Sequence, residues 1–101
     1  MVEIEQTIMS LIVFGGNAKS DAMLAIEAAK MGDFEKADKQ VQLAESALLE
    51  AHRSQTALIQ GEARGERTEV SLLLIHAQDH LMNAITFKDL AKEIVELYRV
   101  K

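Results

Sequence analysis

Proline is absent from all 101 residues, and the five glycines stand at 15, 16, 32, 61 and 65. Without proline nothing removes a backbone donor or forces a clash with the preceding turn, so helices can run long. The clearest breaks fall after Met31 and around Gly61 to Gly65. The sequence therefore predicts one all-α domain over residues 1–101 with three long helices, at about 3–31, 34–60 and 69–98. In the first, Ile4, Ile8, Leu11, Ala18, Ala22, Ala25 and Ala29 recur at three- and four-residue steps, and Gly15-Gly16 is a candidate bend. Asp33 is a plausible N-cap for the second, with Lys36 where a capping box has Glu. Phe34, Ala37, Val41, Ala44, Leu48 and Ala51 mark the apolar stripe that follows. The stretch Gln60 to Arg67 lacks periodic apolar residues and reads as an exposed loop, with Thr68 able to cap the third helix.

That third helix sets the assembly. Leu72, Leu73, Leu74 and Ile75 follow one another and so point in every direction around the axis, which leaves no polar face for solvent. A second surface must cover the outward side. Copies of the same chain in a closed symmetric assembly are the simplest cover, so a homo-oligomer with helix three at its interface is expected. The alanine stripes of helices one and two permit close backbone approach, but they do not fix the number of subunits.

Composition removes several classes of function. A net charge of -5, with the basic residues scattered among acids, argues against nucleic acid, which needs a clustered basic face. No apolar run approaches the roughly 20 residues needed to span a bilayer, and the N-terminus lacks the basic start of a signal peptide, so a cytoplasmic protein is expected. With no cysteine, disulfides, thiolate zinc sites and cysteine nucleophiles are excluded. Covalent chemistry is left to His, Ser, Thr, Lys or a carboxylate.

The turn His76-Ala77-Gln78-Asp79-His80 stands out because two imidazoles and a carboxylate interrupt an apolar run. Residues three and four apart share a helix face, so His76, Asp79, His80 and Asn83 project together. Three readings fit. His76 and His80 have the i, i+4 spacing of zinc-binding helices, although the Glu of His-Glu-x-x-His is missing and no third ligand is evident. They can equally be hydrogen-bonded polar residues of an interface. Alternatively one imidazole is a nucleophile for a phosphoryl group, with Asp79 placing a cation or orienting a ring. Gln78 lies about 200° around the helix from His76 and reads as an interface or supporting residue. His52 reads as structural, and Met9, Met23, Met31 and Met82 as core or interface filler.

Four blocks in order carry a resemblance over nearly the whole chain: Gly16-Asn17-Ala18-Lys19-Ser20, Gly32-Asp33-Phe34, Glu50-Ala51-His52 with Gln55-Thr56, and His76-Ala77-Gln78-Asp79-His80-Leu81-Met82. The chain resembles the IIA component of the lactose/cellobiose/chitobiose class of the bacterial sugar phosphotransferase system. Gly15 departs from the Ala more usual at that place, a change expected to loosen helix one without touching the chemistry.

The resemblance implies a trimer of antiparallel three-helix protomers that relays phosphoryl groups and binds no sugar itself. Carried over by position, His76 accepts the phosphoryl group from the histidine phosphocarrier protein and passes it to a cysteine of the cognate IIB component. His80 is the candidate to assist. Asp79 matches the metal-ligand position, where three copies meet around one divalent cation, magnesium. Uptake of a β-linked disaccharide of cellobiose or chitobiose type is implied, with the membrane reached only through the IIC permease. The competing reading is a non-catalytic helical oligomer that binds a divalent cation or partner helices.

Overall fold

The computed structural model describes residues 2–101, and their side chains from residue 4 onward. Three helices make up the fold: α1 (Val2–Lys30), α2 (Phe34–Ala63) and α3 (Leu72–Arg99). They form one elongated body of 51 × 21 × 19 Å. At 1.5 Å rise per residue, helices of 28 to 30 residues account for most of that long axis. No helix of the described residues is long and apolar enough to cross a membrane.

The buried side chains obey a seven-residue repeat on each helix. In α1 the buried positions Ile8, Leu11, Gly15, Ala18, Ala22, Ala25 and Ala29 alternate steps of three and four, and Ala37, Val41, Ala44, Leu48, Ala51 and Gln55 do the same in α2. In α3 the seam is Ala77, Leu81, Ala84, Lys88, Ala91 and Val95. That spacing is the signature of helices packed at small crossing angles, knobs into holes. Alanine occupies many of the seam positions, so the backbones approach closely. α1 is the centre of the arrangement and packs extensively on both other helices, whereas α2 and α3 touch each other less. Pairs between those two fall in reverse chain order: Gln55 with Gln78, Glu45 with Lys92, and Asp38 with Arg99.

The termini follow local chemistry. α1 ends in a left-handed Gly32 (φ 78°), with Asp33 N–H bonded to Ala28 C=O at 2.9 Å and Gly32 N–H to Ala29 C=O at 3.0 Å. This is the double closure of a Schellman motif. Asp33 then caps α2 as expected, its carboxylate accepting from Lys36 N–H at 3.1 Å. Two boundaries differ from expectation. α2 does not stop near residue 60: Gly61 is helical and buried, and the chain turns only at Gly65 (φ 89°), where Glu66 N–H closes on Gly61 C=O at 2.9 Å. α3 starts at Leu72 rather than near 69, and its cap is Ser71, whose hydroxyl accepts from Leu74 N–H at 3.1 Å, not Thr68.

A charged residue interrupts the α3 seam at Lys88. Its ammonium lies 2.7 Å from Asp89 and 3.5 Å from Glu45, and Glu45 also meets Lys92 at 3.1 Å. At the far end of α3, Arg99 lies over the Phe34 ring, 5.0 Å from its centroid, and pairs with Asp38.

α3 carries a second apolar stripe. Leu74 turns toward the core, but Leu72 is 83% exposed and Ile75 54%, and Met82 is 50% exposed on the face that also bears Asp79. One chain therefore leaves uncovered the apolar surface that the run of four aliphatic residues implied. Met9, Met23, Met31 and Met82 are all exposed, so none of them is core filler.

Candidate functional site

His76, Asp79 and His80 stand on one turn of α3, about 5 residues into the helix that Ser71 caps. His76 and Asp79 are exposed, and His80 is half-buried. The two imidazoles stack, with ring centroids 5.8 Å apart and planes 21° from parallel. None of the three has a hydrogen bond or ion pair with another described residue. The reading in which each polar group is satisfied by a neighbour therefore finds no support within one chain. A zinc site fares no better, since no group of three or more His, Cys, Asp or Glu converges among the described residues. An exposed, uncommitted ring nitrogen on His76 is what a nucleophile toward a bulky phosphoryl donor requires.

Behind this turn lies α1. An ideal Cβ on Gly15 would stand 3.0 Å from His80 Cδ2, 3.5 Å from its Nε2 and 3.7 Å from Leu81 Cα, and one on Gly16 would stand 3.6 Å from Nε2. The glycine pair is thus the wall against which the His80 ring rests. Gly15 therefore lies against the His80 ring rather than remote from the histidine turn. Composition could not reveal this contact, although the repeat Leu11, Gly15, Ala18 places residue 15 on the seam facing the other helices.

Gln78 points the other way, as its position around the helix requires. Gln55 Nε2 donates to Gln78 Oε1 at 2.6 Å and also contacts Met82 Sδ at 3.6 Å. Gln55 is a polar residue in a heptad seam, the kind of pair that fixes register between helices. It joins α2 to α3 immediately behind the histidine turn. His52 is exposed, beside a groove of about 310 Å³ lined with Glu45, Leu48, Leu49, Ile85 and Lys88, away from this turn.

Residues 6–99 match the family model described as the lactose/cellobiose-specific IIA subunit of the phosphotransferase system. The chain belongs to that IIA family. It is 59% identical over 96 residues to the lichenan-specific phosphotransferase enzyme IIA component of Bacillus subtilis, an alignment covering 95% of this chain and 87% of that protein. The N,N'-diacetylchitobiose-specific IIA component of Escherichia coli is 44% identical over 95% of this chain and 83% of its own length. Among solved structures, the cellobiose-specific enzyme IIA of Bacillus anthracis superposes with a TM-score of 0.93 at 56% identity, covering 98% of this chain and 91% of the other. The IIA(Chitobiose) of Escherichia coli, solved in complex with HPr, gives a TM-score of 0.81 at 42% identity over 94% of this chain and 92% of its own. The IIA protein described here is thus a component of the phosphotransferase system, and its three-helix fold is that of its relatives.

Proposed function

We propose that this IIA protein carries phosphoryl groups on His76. The ring receives the group from the histidine phosphocarrier protein and delivers it to a cysteine of its IIB partner, in the service of cellobiose- or chitobiose-type uptake. The observation that carries the reading is the exposed, unbonded imidazole of His76 in a chain of this family. The relative solved with HPr supports the choice of donor, and the relatives named for cellobiose and chitobiose support the class of sugar. The IIA protein would work in the cytoplasm and meet the membrane only through the IIC permease.

In the reaction a neutral ring nitrogen of His76 attacks the phosphorus of the donor's phosphohistidine in line. The donor N–P bond breaks as the new N–P bond forms, and the charge stays on the three equatorial oxygens. No proton need be extracted from a neutral imidazole, so positioning and nearby donors decide the rate. His80, one turn away, is the side chain best placed to donate to those oxygens. In the second step the IIB thiolate sulfur attacks the same phosphorus and His76 leaves as neutral imidazole once protonated.

The working form is proposed to be a trimer of antiparallel three-helix protomers, with the outer stripe of α3 at its centre. Exposed Leu72, Ile75 and Met82 support this, since a trimer covers them. Asp79 lies in that stripe. One chain offers a single carboxylate, so a cation site there needs the copies of Asp79 from the other subunits, and an oxygen-only donor set suits magnesium. When bound, the cation would supply charge neutralisation among those carboxylates.

The test is intact-mass analysis after incubation with phosphoenolpyruvate, its kinase and the phosphocarrier protein. An acid-labile phosphoryl adduct is expected on the wild-type protein, none on His76→Ala, and a reduced amount on His80→Ala. An adduct of normal yield on His76→Ala would refute the assignment, and a wild-type protein that takes up no phosphate would favour a non-catalytic helical oligomer.

A further inference from the structure

We propose that Lys19 is a ligand of the phosphoryl group that His76 carries, its ammonium meeting the phosphoryl oxygens beside His80 Nε2. This rests on the phosphoryl-carrier reading and adds a residue to that same site. Gly16 stands on the rim of α1 next to the histidine turn, where a Cβ would lie 3.6 Å from His80 Nε2. Lys19 is one turn further along the same face of α1, three residues after Gly16. A long side chain on a helix leans back toward the N-terminus, over the residues three and four before it. For Lys19 that path runs over half-buried Gly16, which raises no side chain, while residue 15 is turned inward and buried. Gly16 lies about 4.5 Å back along the axis, a span that the four-carbon stem of a lysine covers. The ammonium can therefore reach the edge of the His80 ring. Nothing else in the chain claims it. Lys19 is exposed and makes no hydrogen bond or ion pair with another described residue. Its neighbours one turn away on α1 are Gly15, Gly16, Ala22 and Met23, none of them acidic, whereas Lys39, Arg53 and Lys92 are each paired with a carboxylate. In a chain of net charge -5 this lysine is left for an incoming anion. A phosphoryl group brings about two negative charges and three acceptor oxygens. A neutral His80 offers one N–H for those oxygens, and Lys19 adds three donors and a positive charge from the facing helix. Charge stays on the oxygens throughout an in-line transfer, so the same contact serves both receipt and delivery.

Lys19→Met tests the contact on the full-length protein, because it keeps an unbranched stem and removes the charge. At an exposed helix position the two residues have similar helix propensity, so the variant should fold, and circular dichroism checks that it does. In single-turnover transfer from the phosphorylated phosphocarrier protein, the rate at saturating donor is expected to fall about tenfold to a hundredfold, the loss of one hydrogen bond to a charged group. The donor concentration giving half-maximal rate should change less than about threefold, since the contact is made to the group in transfer and not to the donor's surface. The phosphorus NMR resonance of the phosphorylated protein alone should move in Lys19→Met, a change that a purely structural or docking role would not produce. Lys19→Arg keeps the charge and should return the rate to within about threefold of the wild type. Lys30→Met removes a lysine from the last turn of α1 and serves as the control, with rate and resonance unchanged. A saturated rate that Lys19→Met leaves intact, a loss confined to the half-saturating concentration, or an unmoved phosphorus resonance would overturn the proposal, as would a Lys19→Arg protein as slow as Lys19→Met. A wild-type protein that takes up no phosphoryl group is a separate result, which refutes the carrier reading and the assignment of Lys19 with it.

Discussion

Asp79 is the residue whose replacement tests assembly and cation binding together. In one chain it is exposed between Ile75 and Met82 on the outer face of α3. In the proposed trimer three copies would converge. Two carboxylates about 4 Å apart repel by roughly 4 kcal/mol at an effective dielectric of 20, and three copies make three such pairs. A bound cation, or shared protons, must relieve that repulsion. Asp79→Leu removes it and extends the stripe formed by Leu72, Ile75 and Met82, where each buried leucine adds about 1.5–3 kcal/mol. Exchanging buried charge for apolar contact is often neutral or stabilising. With free magnesium at about 100 times its Kd, the cation stabilises the assembly by about 2.7 kcal/mol, or about 0.9 kcal/mol per chain when shared among three. For a domain of this size that corresponds to a Tm change of about 4–8 °C. Thermal melting at one fixed protein concentration, with and without EDTA, should therefore show a fall of about that size for the wild type and none for Asp79→Leu. Sedimentation should give three times 11.2 kDa for both. Equal sensitivity of the two proteins to EDTA would show that Asp79 holds no cation, and a wild-type monomer at micromolar concentration would refute the trimer.

Two further outcomes concern the helices that carry the site. Ser71→Ala should cost about 1 kcal/mol by removing the bond to Leu74 N–H, while Thr68→Ala should stay within about 0.5 kcal/mol; urea titration measures both, and the reverse order would refute the cap assignment. At Lys88, burial works against the ammonium, but the carboxylates of Asp89 and Glu45 outweigh it and hold the pKa above the usual lysine value of 10.5. A raised folded-state pKa means that the contribution is full below the unfolded value and is lost as pH rises through the folded one. Wild-type stability should thus fall above pH 10.5 more steeply than that of Lys88→Met, and parallel pH profiles would show that the pairing contributes nothing.

The three helices and their inner stripes were legible because spacing alone decides them: every residue named for the stripes of α1 and α2 is buried or half-buried. Boundaries were harder. Gly61 reads as a breaker, yet a glycine stops a helix only where the chain uses its freedom to turn left-handed, and here that is Gly65. Thr68 and Ser71 are equally able to cap, so the choice depends on where α3 first meets the bundle, at Leu74, which is tertiary information. The histidine turn was legible from its spacing. The Gln55–Gln78 bond was not, because the register between two helices is absent from either helix alone.

The Gly15 contact shows why a site can be read in outline and missed in its support. Glycine within a helix is recognised by what it lacks, so residue 15 first reads as a weak point of α1. Its position in the seam reverses that meaning: α1 continues through it, and the missing Cβ becomes room for a ring from α3. The same helix α3 turns Ala77 and Leu81 toward the bundle and Ile75, Asp79 and Met82 outward, so His76 and His80 lie on the border between the two apolar stripes. On that border the His80 ring rests on α1 from behind, while His76 stacks on it and stays exposed. A fully buried histidine could not accept a group from another protein, and a fully exposed one would have no wall to orient it.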